Sequence, residues 1–273
     1  MKPFLLAVLA AYFVAAIHSI LAFVNKRRAL QQVSDVSVII GFALHTAALI
    51  VDWAIDGRYP LLSLRETLSF LAWTIVAAYG VVFYRYGAQA LGVVALPLVS
   101  ALTFVALLIK TGATGSAGQI TGASLKWLLP VHATLLSFAY AALFVVFAAS
   151  IMYLLQEREL KLKTFSAIFH RLPSLTTVND LATTSATIGL TLLSLGIVTG
   201  MLLSTARDGR IWHNDPKEIA AALTWVLYVV LIAYRSTARW RGRKAAWMGV
   251  VGFVLVLFTF LGPRLMSSYH AFG

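Results

Sequence analysis

Trp212-His213-Asn214-Asp215-Pro216-Lys217-Glu218 is the most polar short stretch lying between two long apolar runs. Those runs, Asn179–Ser204 and Glu218–Tyr234, show no period-2 alternation, so each reads as a membrane-crossing helix rather than a barrel strand. The polar stretch then lies at a membrane surface. Its second half reads as a helix start. Asp215 suits the N-cap and Pro216 the first helical position. Glu218 takes the third position, where it fits a capping box and the helix dipole. Trp212 is the residue this leaves unexplained. An interfacial anchor and a surface for stacking a planar ligand both account for it.

The same length rule, about 20 apolar residues per span, finds six more runs: Pro3–Val24, Asp35–Ile55, Glu66–Tyr86, Ala88–Ile109, Leu125–Gln156 and Ala246–Leu265. The chain of 273 residues is 60% hydrophobic and only 12% charged, about half the charge of a soluble domain. It is therefore expected to be an all-α polytopic membrane protein of about eight transmembrane helices, forming one integral membrane domain over 1–273. The first run is too long for a signal-peptide core, lacks a clear cleavage site and ends in Lys26-Arg27-Arg28, so it reads as a retained span. No internal repeat stands out.

The formal net charge is +12. The basic residues sit in short loops at helix ends, which points to topology signals and lipid headgroups rather than nucleic acid. Their two strongest clusters, Arg158 to Arg171 and Arg235 to Lys244, both fall in odd-numbered connections. The odd connections are thus expected in the cytoplasm, and both termini and the 205–218 loop outside, on the periplasmic face of a bacterial inner membrane. Thr111–Ser124 is rich in Gly, Ser and Thr and reads as a mobile outer loop. The basic stretch 157–178 reads either as an amphipathic segment on the bilayer or as a solvated loop. The absence of cysteine excludes a thiol–disulfide carrier, a thiolate nucleophile and a covalent c-type haem on this chain.

Ionisable groups in or beside a bilayer ask for a partner or a task. His132 lies seven residues into the fifth run and His270 five residues past the eighth, both at the expected outer boundary. Two imidazoles on one face can hold a six-coordinate haem iron; two interfacial histidines that never meet would look the same. His45 falls about 15 Å into the second span, near the midplane, and Asp52 shares its helix face. A ligand position, a proton relay and a hydrogen bond to a neighbouring helix all remain open there. His18 fits packing in the first span, and His170 a solvated loop. Arg207, Arg210 and Lys217 beside a helix N-terminus favour bound carboxylates such as haem propionates.

Several stretches together resemble the cytochrome c assembly family of haem-handling, CcsA-like membrane proteins, and within it the eight-span YpjD/HemX-like branch. Gly57-Arg58-Tyr59-Pro60-Leu61 with Leu64, Glu66, Leu68 and Phe70-Leu71-Ala72-Trp73 resembles one family stretch. Pro130-Val131-His132-Ala133 resembles the surroundings of the first external haem-ligand histidine, and Tyr269-His270 those of the second. Gly189 to Gly200 resembles the helix leading into the signature loop, and Asp215-Pro216-Lys217-Glu218 with Leu223-Thr224-Trp225 resembles the end of the tryptophan-rich motif itself. That motif runs close to W-G-x-x-W-x-W-D-P-K-E. Here only Trp212 fills a tryptophan position, and Asp208 and Asn214 stand at the others. His45 matches the family's intramembrane histidine, whereas Ala233 occupies the place of its partner.

The resemblance implies non-covalent, b-type haem held by His132 and His270, with Trp212, Asp215, Pro216, Lys217 and Glu218 as a platform and His45 as an intramembrane ligand. It implies presentation of haem at the outer face to apocytochrome c, whose own cysteines form the thioether bonds, alongside a ResB/CcsB-type membrane partner. The chain would then be the haem-delivery part of a synthetase, with no independent catalytic motif. Two other readings stand beside it. One is a HemX-like accessory or regulatory protein of haem synthesis, contacting a partner through 157–178. The other is a small-solute transporter with His45 and Asp52 on its path.

Overall fold

A computed structural model describes residues 2–57, 59, 61, 63–109, 127–163, 169–236 and 242–266. Among the described residues the fold is all-helical. Eight helices are long and apolar enough to cross a membrane: α1 (Lys2–Asn25), α2 (Arg28–Asp56), α3 (Leu64–Tyr86), α4 (Gly92–Leu108), α5 (Leu128–Leu162), α6 (Leu175–Asp208), α7 (Pro216–Ser236) and α8 (Arg243–Met266). The chain is a multi-pass membrane protein, as its composition demands. His270 and the Thr111–Ser124 loop lie outside the described residues.

Three helices outrun their apolar cores. α2 begins at Arg28, seven residues before the apolar run. α5 carries on through Glu157-Arg158-Glu159 to Leu162, and α6 reaches Asp208. Helices do not stop where the hydrocarbon stops. They stop where a cap is supplied: Gly57, Lys163 and Gly209 each take the left-handed conformation that closes a helix end. Of the 157–178 stretch, the described parts are the end of α5, a single 3-10 turn at Phe169–Arg171 and the start of α6, capped by Ser174. α7 is 21 residues long, a full span.

The chain divides into two compact units. One holds α1–α4 with the 3-10 turn, the other α5–α8. In the first, α1 packs on α2 and α4, and α3 on α2 and α4; in the second, α5 packs on α6 and α8, and α7 on α6 and α8. Each unit is thus a ring of four consecutive helices in which the last returns to the first.

Small residues let these helices approach, as expected where lipid offers no hydrophobic drive. In the first unit, the Tyr12 ring lies over Gly41, where a Cβ would come within 2.8 Å of it. At Gly92, Tyr79 from α3 and Ser19 from α1 converge on the start of α4. Ser34 donates to the Ala15 carbonyl at 2.9 Å. α3 starts with a full capping box between Ser63 and Glu66. In the second unit, Gly189 faces Leu143, Gly196 faces Leu136 and Gly200 faces His132, so α6 lays a glycine seam against α5. At the other end of α6, the buried Arg235 of α7 donates from Nη1 to Asn179 Oδ1 (3.0 Å) and Thr183 Oγ1 (3.2 Å).

Candidate haem-facing site at one end of the second unit

α5 begins, α6 ends and α7 begins at one end of the second unit. His132, on the second turn of α5, faces α6. Its Nδ1 lies 2.9 Å from the Gly196 carbonyl and 3.2 Å from Thr199 Oγ1. A carbonyl only accepts, so the proton is on Nδ1, and Nε2 carries the lone pair. Ligating histidines are characteristically oriented this way by a backbone carbonyl behind the ring. Glycine at 200 is what admits the ring: a Cβ there would lie 2.9 Å from Cε1 and 3.3 Å from Nδ1.

Eight residues beyond Gly200, about 12 Å along the helix, α6 ends at Asp208. The connection Gly209–Asp215 follows, so helix takes residues 205–208 and 216–218 of the 205–218 stretch. Asp215 caps α7 as expected, its Oδ1 accepting the Lys217 N–H at 2.9 Å, and it is buried. Replacing Asp215 with alanine should cost about 0.5–2 kcal/mol, seen as a lower thermal midpoint of detergent-purified protein, while Asp215→Asn keeps most of it. Glu218 reaches back into the connection. Its Oε2 accepts the His213 backbone N–H at 2.7 Å and its Oε1 lies 3.2 Å from His213 Nδ1.

His213 is the centre of this connection. Its Nε2 lies 2.7 Å from Asp208 Oδ2, and Ser204 Oγ is 3.1 Å from Nδ1. Asp208 Oδ1 also accepts the Arg210 N–H at 3.2 Å. Trp212 is 40% exposed and its indole N–H donates to Asn214 Oδ1 at 2.7 Å. Asn214 itself is left-handed, with φ of 56°. Asp208 and Asn214, the two positions that depart from the tryptophan-rich pattern, therefore each make a side-chain bridge in the loop. Arg207 and Arg210 are exposed beside it.

His45 belongs to the first unit. It is fully buried, with Nε2 2.9 Å from Ser69 Oγ and Nδ1 3.3 Å from the Tyr12 hydroxyl. Both ring nitrogens are engaged by neighbouring helices. Trp73, four residues past Ser69, donates to Thr46 Oγ1 at 2.9 Å and stacks between Phe42 and Phe70. His18 bonds its own helix at the Val14 carbonyl, 2.8 Å away. Among the described residues no group of three His, Cys, Asp or Glu side chains is arranged to hold a bare metal ion.

Sequence reasoning placed His132 and the 212–218 stretch on one side of the membrane; in the structure both lie at the end of the second unit where α5 begins and α6 ends. It missed His213 as an organiser, although acidic residues five positions before and after it were the available signal. It also missed Tyr12 and Ser69, which sit on other helices and carry no periodic mark.

The fold and this end define a polytopic helical membrane protein with an oriented histidine below a braced aromatic loop. The family whose model is described as "Cytochrome C assembly protein" matches residues 61–270, and the chain belongs to that family. Among curated relatives, the "Cytochrome c biogenesis protein CcsA" of Prochlorococcus marinus (strain MIT 9301) is 26% identical, covering 93% of this chain and 88% of the relative. Proteins of the same name from Synechococcus sp. (strain CC9605) and Microcystis aeruginosa (strain NIES-843 / IAM M-2473) are 26% and 27% identical. The first match covers 84% of this chain and 83% of the relative, the second 81% of each.

Proposed function

We propose that this chain takes part in cytochrome c biogenesis by binding haem without a covalent bond and presenting it at the outer face of the bacterial inner membrane. The observation that carries this is the orientation of His132: its Nδ1 proton is spent on the Gly196 carbonyl, which leaves Nε2 as the lone-pair nitrogen an iron needs. His132 and His270 would be the axial ligands. Trp212 would stack on the porphyrin, and Asp215, Pro216, Lys217 and Glu218 would hold that loop at the start of α7. Arg207, Arg210 and Lys217 give cationic partners for propionates. Haem, when bound, supplies the vinyl groups that cysteines of an apocytochrome attack. This chain, having no cysteine, positions and shields. A ResB/CcsB-type partner and the apocytochrome complete the assembly. His45 would join as a ligand only by exchanging its bond to Ser69. The outer placement rests on the basic clusters in the odd connections.

The accessory, HemX-like reading has one observation in its favour: the Trp212 indole N–H and the Asp208 carboxylate are both spent inside the loop. The transporter reading gains nothing from His45, whose two nitrogens are bonded within its own unit. Complementation separates the first two. In cells lacking their own copy, this chain should restore covalent c-type cytochromes, measured by haem staining, and co-purify with haem showing a low-spin spectrum. Haem-free protein that alters cellular haem levels but restores no cytochrome would replace the proposal with the regulator.

A further inference from the structure

We propose that His213 is the positioning residue of the 209–215 connection: its imidazolium, held between Asp208 and Glu218, ties the end of α6 to the start of α7 and sets the stance of Trp212. The link from that stance to haem presentation rests on the reading above; the clamp itself does not.

The geometry is specific. The three polar groups around the ring come from two different helices: Ser204 and Asp208 from α6, Glu218 from α7. The His213 side chain is only 10% exposed, against 32% for Asp208 and 16% for Glu218. The fourth tie is the backbone, His213 N–H to Glu218 Oε2 at 2.7 Å. Trp212 is the next residue back along the chain, so anything that fixes the His213 backbone fixes the base of the indole. The other charged groups at this end are Arg207 on α6, Arg210 in the connection, and Asp215 and Lys217 at the start of α7. Among the described residues, α5 brings His132 to this end.

Protonation decides how many of these ties hold at once. As imidazolium, His213 donates from Nε2 to Asp208 and from Nδ1 to Glu218, two charge-assisted bonds. As neutral imidazole it has one N–H. The short Asp208 contact keeps it, and the Ser204 hydroxyl can donate to the bare Nδ1. Glu218 Oε1 then faces a lone pair, and its hold on the His213 backbone is weakened. The connection is tight at low pH and loosens as pH rises, with the α7 side letting go first.

The test is hydrogen exchange read by mass spectrometry on the full-length, haem-free protein in detergent, following peptides across 205–219. Wild type is compared with His213→Ala and His213→Gln between about pH 5 and about pH 8. At the acid end wild type should exchange roughly tenfold more slowly than either variant, the value of one charge-assisted bond, and the ratio should shrink as pH rises. The comparison at each pH cancels the intrinsic rate. Equal rates at the acid end, or a ratio that does not move with pH, would overturn the proposal. Peptides from α5 report folding. If a variant loses protection there as well, Glu218→Gln replaces it, and wild type must still lose its advantage as pH rises. Because no haem is present, failure of haem binding cannot mimic failure of the clamp.

Discussion

His132→Ala should abolish the low-spin, bis-imidazole absorption of the haem-loaded protein and weaken haem binding by at least about a hundredfold, more than the loss of a supporting residue around a ligand. The argument runs from the ring outward. The Gly196 carbonyl and Thr199 hydroxyl hold Nδ1, so Nε2 would be the ligating atom in the proposed site. Alanine removes that atom and leaves a ring-sized space against Gly200. Haem that remains would be held from one side only and would turn high-spin. Free imidazole in the buffer should enter the space and restore the low-spin bands. That rescue separates ligand loss from misfolding, because an unfolded site has no space to fill. An unchanged spectrum in His132→Ala would remove His132 from the site and, with it, the main support for haem binding.

The second large effect comes from a residue that touches no ligand. Gly200→Val should weaken haem binding about 10–100-fold, the usual cost of disturbing what orients a ligating histidine. A Cβ at 200 would sit 2.9 Å from Cε1 and 3.3 Å from Nδ1, closer than the ring can tolerate. The imidazole has to swing, and it then gives up the Gly196 carbonyl. Gly189→Val is the control on the same seam. Its Cβ would come 2.5 Å from Leu143 Cδ2, the far end of a flexible side chain. It should cost about 1–3 kcal/mol of stability by overpacking while leaving haem affinity alone. Haem titration and thermal unfolding of both variants settle the matter. Equal affinity in Gly200→Val and wild type would mean that the carbonyl behind His132 does no orienting.

Much of this was legible in the sequence, for identifiable reasons. Eight spans were, because a bilayer imposes a length and a composition that few other environments do. Helix ends were not. Arg28 to Asp35 and Glu157 to Leu162 are helical yet polar, and hydropathy detects hydrocarbon rather than helix. Asp215 and Pro216 announced the start of α7 because capping is local chemistry. Glu218 was expected to serve that cap, and in the structure it reaches back to His213, a choice made by the fold of the whole connection. His45 was placed with Asp52 on one face, but the structure bonds its ring to Tyr12 and Ser69. Those contacts cross between helices, and no spacing along the chain encodes them.

The two rings have a bearing on how the chain is made. Each closes only when its fourth helix meets its first, α4 on α1 and later α8 on α5. The first ring can therefore be finished on the ribosome's own schedule before the second is begun. At ordinary synthesis rates the residues of α5–α8 take on the order of ten seconds to emerge. For part of that time α5 has only α6 of its own ring, with α7 and α8 still to come. His132 has its carbonyl partner from α6 during this interval. Which ring nitrogen keeps its proton is thus chosen early in insertion, by the first hairpin of the second ring, before the loop that follows α6 exists.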